Sequence, residues 1–285
     1  MKRRPPRPIA FEGHGGLTLR AEVVGDPRAV PALLLHGGGQ TRHSWTETAQ
    51  VLAHDGWQVV SVDLRGHGES DWATGGAYEF QHFAEDVREI TRQLARPPVL
   101  VGASLGGLAA LLAQGSADDV LARGIVLVDV APRMEPEGVS RILEFMQAHP
   151  DGFSSIDECA EAVAAYNPHR ARPPSSAGLA KNLRRGEDGR WRWHWDPEFL
   201  AIDEPADGTA EAFDRAARAL DLPTLLVRGR QSDLLSEEGA QEFLRLVPHA
   251  RYADVSGAGH MVAGDNNDVF TDAVRSFLRE HVERN

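Results

Sequence analysis

Gly102-Ala103-Ser104-Leu105-Gly106 constrains the fold of this chain more than any other stretch. An apolar run, Pro97-Pro98-Val99-Leu100-Val101, precedes it and reads as a buried strand. Gly107-Leu108-Ala109-Ala110-Leu111-Leu112-Ala113-Gln114 follows it and is rich in helix formers. Strand, sharp turn and helix together hold the central residue in a strained conformation with its side chain clear of the sheet. Side chains two residues before and after Ser104 would collide with neighbouring backbone, and glycine removes both. The hydroxyl then stands at a helix N-terminus, where free N–H groups and the helix dipole favour negative charge.

The chain has 285 residues, enough for one large α/β domain with an insertion or for two small domains. Its 42% hydrophobic and 25% charged residues suit a globular protein with a full core. Thirty basic against 42 acidic residues leave a net charge of −12, which argues against a nucleic-acid partner. The basic start, Met1 to Pro8, is not followed by an apolar stretch of signal-peptide length and is expected to be a short frayed tail. No segment approaches the ~18 apolar residues needed to cross a membrane. Cys159, the single cysteine, excludes an intramolecular disulfide and a cysteine-based metal cluster. No basic or histidine neighbour in sequence lowers its pKa, so an inert thiol is expected. A cytoplasmic protein without nucleic-acid or membrane partners is the default, as a monomer or a homodimer.

Strand and helix patterns alternate through the first half. Leu17–Val24, Ala32–Leu35, Trp57–Val62, Val99–Val101 and Gly124–Val130 read as strands. Ser44–Ala53 and Phe80–Leu94 read as helices between them. That rhythm predicts an α/β fold with a mostly parallel, doubly wound sheet. It breaks after Val130. From about Pro132 to Asp221 the text is helical and irregular, with helices expected at Arg141–Ala148, Ile156–Tyr166 and Glu211–Leu220. The sheet pattern resumes at Leu222–Val227 and closes with a helix over Asn267–Val282. Residues 1–131 and 221–285 are therefore expected to form the core. Residues 132–220 are expected as a helical cap over the strands' carboxyl ends, where open α/β sheets bind ligands.

A nucleophilic serine needs a base, and the base needs an orienting acid. With a strand–turn–helix elbow the chain order is serine, acid, histidine. Asp233, past the strand at Leu225–Val227, and His260, past an extended segment at Ala250–Val255, fit that order. Asp129, also at a strand end, is the rival acid. His36 and His67 are rival bases, but both precede the serine. The glycine loop after Leu33-Leu34-Leu35-His36 supplies a second N–H for an oxyanion, with Gly38 the chosen donor beside Leu105. A phosphate-cradling loop is disfavoured, because no Gly-Lys-Ser/Thr follows.

Together, His36-Gly37, the loop Asp63-Leu64-Arg65-Gly66-His67-Gly68-Glu69-Ser70, the elbow at Ser104, Asp233 and His260 resemble the α/β-hydrolase fold superfamily. The resemblance is to its capped esterase, lactonase, carbon–carbon hydrolase and cofactor-free haloperoxidase-like branches. It covers about residues 10–131 and 221–282. It implies Ser104 as nucleophile, His260 as base, Asp233 as acid, the Gly38 and Leu105 N–H groups as oxyanion donors, and no metal or organic cofactor. Asp63, Arg65 and His67 read as structural. Many relatives follow His-Gly with a bulky residue and proline; here Gly38 and Gly39 leave a more open pocket floor. Ser104 excludes the branches with an aspartate nucleophile.

The expected chemistry is two-step acyl transfer on a carboxylic ester or lactone of an apolar small molecule. Cleavage of a carbon–carbon bond in a dienoic keto acid is the alternative, and would need a pocket arginine such as Arg192. A haloperoxidase- or perhydrolase-like enzyme and a non-catalytic binding member stand behind these. The insertion carries Phe145, Met146, Phe153, Tyr166, Trp191, Trp193, Trp195 and Phe199. Trp191, Trp193 and Trp195 alternate with polar residues, so an extended segment would align three indoles on one face. Trp191, Trp193 and Met261 are the candidate pocket residues. The competing role for the rings is to glue the cap to the sheet.

Overall fold

A computed structural model describes residues 4–117, 119–166, 176–201, 208–257, 259 and 267–282. Among the described residues ten strands are seen: β1 (Arg7–Glu12), β2 (Thr18–Val24), β3 (Pro31–Leu35), β4 (Gln58–Val62), β5 (Val99–Ala103), β6 (Gly124–Val128), β7 (Leu183–Arg185), β8 (Trp191–Trp193), β9 (Thr224–Gly229) and β10 (Arg251–Val255). The helices are α1 (Thr46–His54), α2 (Phe80–Gln93), α3 (Leu105–Gly115), α4 (Pro136–Gln147), α5 (Ile156–Tyr166), α6 (Thr209–Arg218), α7 (Glu237–Leu246) and α8 (Asn267–His281).

Eight strands form one sheet in the order β1-β2-β4-β3-β5-β6-β9-β10. β1–β2 and β2–β4 pair antiparallel, and every other neighbouring pair is parallel. Side chains alternate between the two faces, which explains the unbroken apolar runs. Leu33, Leu35, Leu100, Ile125 and Leu127 point to the face covered by Phe83, Val87, Leu108 and Leu111 of α2 and α3. Leu34, Val99, Val101, Val126 and Val227 point to the other face, under Leu52 of α1 and Phe270, Val274 and Phe277 of α8. α3 is buried from Leu105 to Gln114, as its apolar composition on all sides requires.

The parallel strands all end at one edge, so the loops after β3, β4, β5, β6 and β9 meet there. The strand after Gly124 ends at Val128, two residues earlier than expected, because Asp129 turns into the left-handed region with φ 52°. At the other end, Arg7 and Pro8 belong to β1, paired with Val23 and Glu22. Proline is tolerated there because β1 is an edge strand with a partner on one side only.

The segment between β6 and β9 has two parts. α4, α5 and the β7–β8 hairpin share their own apolar cluster of Met146, Phe153, Cys159, Leu183, Trp193 and Trp195. α6 instead joins the core through Phe213, Ala216 and Ala217. It runs so close to α3 that a β-carbon on Gly115 would lie 2.2 Å from the Ala216 carbonyl oxygen. α4 starts five residues before its expected first turn, with Pro136 pre-set for the helix at its N-terminus. Cys159 is buried in the separate cluster, and burial pushes its thiol up to about 12, an inert thiol as expected.

Candidate active site

The elbow has the geometry its sequence demands. Ser104 caps α3 with φ 46° and ψ −117°. A β-carbon on Gly102 would lie 2.4 Å from the Gly106 carbonyl oxygen, and one on Gly106 2.4 Å from that of Leu35. Neither position accepts a side chain. The backbone is tied down on both sides: Ser104 N–H donates to the Val128 carbonyl at 3.2 Å, and Leu108 N–H donates to the Ser104 carbonyl at 2.9 Å. Leu105 opens α3, so its N–H has no helical carbonyl one turn back.

The glycine loop after β3 reaches the same place. A β-carbon on Gly37 would touch the Ser104 β-carbon at 3.4 Å. One on Gly38 would lie 3.9 Å from Leu105 Cδ2 and 3.5 Å from the Phe199 ring. Gly38 N–H has no acceptor among the described residues. The structure thus brings together Ser104, Leu105 and Gly38, three positions singled out from the sequence. His260 and Met261 lie outside the described residues.

The two candidate acids differ sharply. Among the described residues, Ser104 and Asp129 are the two non-glycine residues with positive φ. They sit at the ends of adjacent parallel strands. Asp129 is fully buried. Its Oδ1 accepts from Gly229 N–H at 3.0 Å and its Oδ2 from the Ser232 hydroxyl at 2.5 Å. Ser232 Oγ in turn accepts from the N–H groups of Leu234 and Leu235. Backbone held in this region costs on the order of 1–3 kcal/mol and clusters at functional sites. Asp233, the acid expected from the position of its strand, carries no such strain. Its carboxylate is one-third exposed and pairs with Arg141 of α4, Nη1 to Oδ2 at 2.7 Å. α4 passes so close that a β-carbon on Gly138 would lie 2.2 Å from the Asp233 carbonyl oxygen. Burial, and next the Asp233 charge, raise the Tyr166 hydroxyl above the usual range.

The loop from Asp63 to Ser70 is a buried polar frame, the structural reading given to Asp63 and Arg65. Asp63 accepts from Arg42 N–H at 2.7 Å, from the Arg42 guanidinium and from Glu69 N–H at 3.0 Å. Arg65 makes a bidentate pair with Asp86, both contacts at 2.7 Å, inside the fold. Two-point contact of this kind satisfies the charges that burial strips of water.

Residues from the segment between β6 and β9 cover the glycine loop. Beside Phe199 over Gly38, Met146 Cε and the Trp195 ring would lie 2.9 and 3.1 Å from a β-carbon on Gly39. Trp191 and Trp193 are the pocket candidates. Trp193 stacks on Trp195 at 4.9 Å and meets Phe153 edge-on at 5.5 Å, within the insertion's own core. Trp191 bridges to Phe153 through its backbone and lies under Arg185. Met146, Trp195 and Phe199 were visible as apolar residues of the insertion, but no sequence signal separated them from its internal core. Three of the insertion's arginines are engaged elsewhere: Arg184 over Trp72, Arg190 on the carbonyls of Asp151 and Gly152, and Arg192 on Asp188 at 2.9 and 2.6 Å.

Among the described residues no cluster of three or more His, Cys, Asp or Glu could hold a metal. No described helix is long and apolar enough to cross a membrane.

A strained serine between a central parallel strand and a buried helix, faced by a glycine loop, defines a nucleophile-elbow α/β protein. The chain belongs to the alpha/beta hydrolase family, whose model matches residues 32–273. It is 31% identical over 258 residues to the esterase Rv0045c of Mycobacterium tuberculosis, covering 86% of this chain and 82% of that protein. It is 29% identical over 272 residues to the 2-(acetamidomethylene)succinate hydrolase of Mesorhizobium japonicum, covering 93% and 92%. A crystal structure of E-2-(acetamidomethylene)succinate hydrolase superposes with a TM-score of 0.84 at 25% identity, over 96% of this chain and all of that one.

Proposed function

We propose that this chain is a serine hydrolase of small apolar carboxylic esters or lactones, working through an acyl-enzyme. The observation that carries the reading is Ser104, held at φ 46° at the start of α3 with Gly37 and Gly38 beside it. Ser104 attacks the carbonyl while His260 takes its proton. The N–H groups of Leu105 and Gly38 receive the oxyanion; each such donor contributes about 3 kcal/mol of transition-state stabilisation. His260 then protonates the leaving group, and water releases the acyl chain by the reverse steps. The esterase and hydrolase names of the relatives support this class of reaction. The apolar ceiling of Met146, Trp195 and Phe199 supports an apolar acyl or aryl group. The reaction as written needs no cofactor, and we place it in the cytoplasm.

Chain order admits both Asp129 and Asp233, and nearness of the strand end at Arg228 to the histidine loop is what puts Asp233 first. Burial, two oriented donors and left-handed backbone at the neighbouring strand end favour Asp129 as the residue that orients His260. Asp233 then ties the loop after β9 to α4 through Arg141. Carbon–carbon cleavage of a dienoic keto acid draws no support from Arg184, Arg190 or Arg192, which have other partners.

The test is hydrolysis of p-nitrophenyl butyrate by Ser104→Ala. Removing a nucleophile of this kind costs at least about a thousandfold in kcat. Turnover equal to the unmodified protein would rule out the serine mechanism.

A further inference from the structure

The oxyanion donor sits in a loop that has no side chains of its own. Gly37, Gly38 and Gly39 are consecutive, and glycine has the largest backbone freedom to lose. An oxyanion hole works because its donors are aimed before the reaction begins. Gln40 closes the turn, its Oε1 accepting from Gly37 N–H at 3.4 Å, and contacts from outside the three glycines must complete the hold.

Two peptide planes flank the Gly38 α-carbon, and each is gripped by a histidine. The Gly37 carbonyl accepts from His36 Nδ1 at 2.7 Å and from Gln40 N–H at 3.1 Å. The trans peptide is planar, so fixing that carbonyl turns Gly38 N–H to the opposite side. The next plane is fixed through its N–H: Gly39 donates to His67 Nε2 at 3.0 Å. An amide can only donate, so Nε2 carries no proton, and Nδ1–H donates to the Arg65 carbonyl at 2.9 Å. His36 follows the same logic, accepting from Leu64 N–H at its Nε2, at 3.0 Å. Both rings are thus anchored on consecutive residues of the loop that Asp63, Arg42, Arg65 and Asp86 make rigid. Neither ring is exposed, and they lie 5.2 Å apart. Burial, and next His36, push His67 down to about 3, so the accepting form persists. Phe199 closes the arrangement from the insertion, edge-on to His67 at 4.8 Å.

We infer that His67 is a positioning residue for the oxyanion hole, its neutral imidazole and that of His36 forming a two-sided clamp that aims the Gly38 N–H at the substrate oxygen. This rests on Gly38 as an oxyanion donor in a serine hydrolase. It goes beyond the frame-building part that the sequence suggests for His67.

The clamp is tested with His67→Leu and His67→Gln, because glutamine can accept from Gly39 and donate to Arg65 while leucine can do neither. kcat and KM are measured on p-nitrophenyl butyrate, together with Ki for a trifluoromethyl ketone that forms a tetrahedral oxyanion on the serine. His67→Leu is expected to lower kcat about tenfold to a hundredfold with KM within about twofold, and to raise Ki by the same factor as kcat falls. His67→Gln should recover most of both. Unchanged kcat and Ki in the leucine variant, or a glutamine variant no better than leucine, would overturn the clamp. Should the leucine variant not fold, 15N NMR of the unmodified protein decides. An unprotonated His67 Nε2 coupled to the Gly39 amide supports the clamp, and a protonated Nε2 overturns it. If Ser104→Ala retains full turnover, the hydrolase reading fails and the clamp falls with it. If Ser104→Ala is inactive and His67→Leu is not impaired, the clamp alone is wrong.

Discussion

The loops above the sheet and the segment between β6 and β9 are held together by different forces. Above the sheet, polar atoms fix one loop against the next: His36 and His67 on the glycine loop, Ser232 and Gly229 on Asp129, Arg42 on Asp63. In the insertion, rings do most of the holding, as in the stack of Trp193 on Trp195 and of Phe145 on Tyr166 at 4.3 Å. Hydrogen bonds impose direction; apolar packing fills volume with little directional demand. Bond-making needs direction, and substrate fit needs volume. Under the proposed function, the loops set the reaction and the insertion sets what fits beneath it.

The largest expected effect separates the two carboxylates. Asp129→Asn should lower kcat by roughly a thousandfold to ten-thousandfold, as removing an orienting acid does. It should also move the acid limb of kcat/KM to lower pH, because the imidazolium loses the charge that favours it. Asp233→Asn should stay within about tenfold. Steady-state kinetics across pH decides, and the reverse ranking would restore Asp233 as the acid.

Next comes the contact where the two regions meet. Phe199→Ala removes the ring over Gly38, so the preference between a bulky and a short acyl ester should shift by about tenfold to a hundredfold toward the bulky one. An unchanged ratio would remove Phe199 from the pocket.

Smaller again is a tie between insertion and core. Tyr78 donates to buried Asp196 at 2.6 Å and accepts from Ala73 N–H. Tyr78→Phe leaves that carboxylate short of a donor, so denaturation should show a loss of about 1–3 kcal/mol with kcat nearly unchanged. Least affected should be Arg192→Ala. Its partner Asp188 lies on the exposed turn just before β8, so ester turnover is expected within twofold. A selective loss of dienoate cleavage would revive the carbon–carbon reading.

The sheet was legible because parallel strands buried on both faces are continuous apolar runs, and Leu33–Leu35 or Val99–Val101 can be little else. β1 was hidden because Arg7 and Pro8 look like tail, and only pairing with β2 makes them strand. The β7–β8 hairpin was hidden because three residues per strand carry too short a pattern. Within the site, Ser104, Leu105 and Gly38 were readable because the elbow and the glycine loop are local patterns. Asp129 and Asp233 could not be ranked that way, since their difference lies in a φ angle and in an ion partner 92 residues away at Arg141. His67 was readable as structural but not as a clamp, because its partner Gly39 lies 28 residues upstream.

The most direct measurement is the mass of the acylated protein. Rapid quenching after mixing with p-nitrophenyl butyrate, followed by peptide mapping, should find the butyryl group on the peptide carrying Ser104 and none in Ser104→Ala. Hydrolysis that proceeds with no acyl group on that peptide, or with one on another residue, would contradict a core that performs acyl transfer at Ser104.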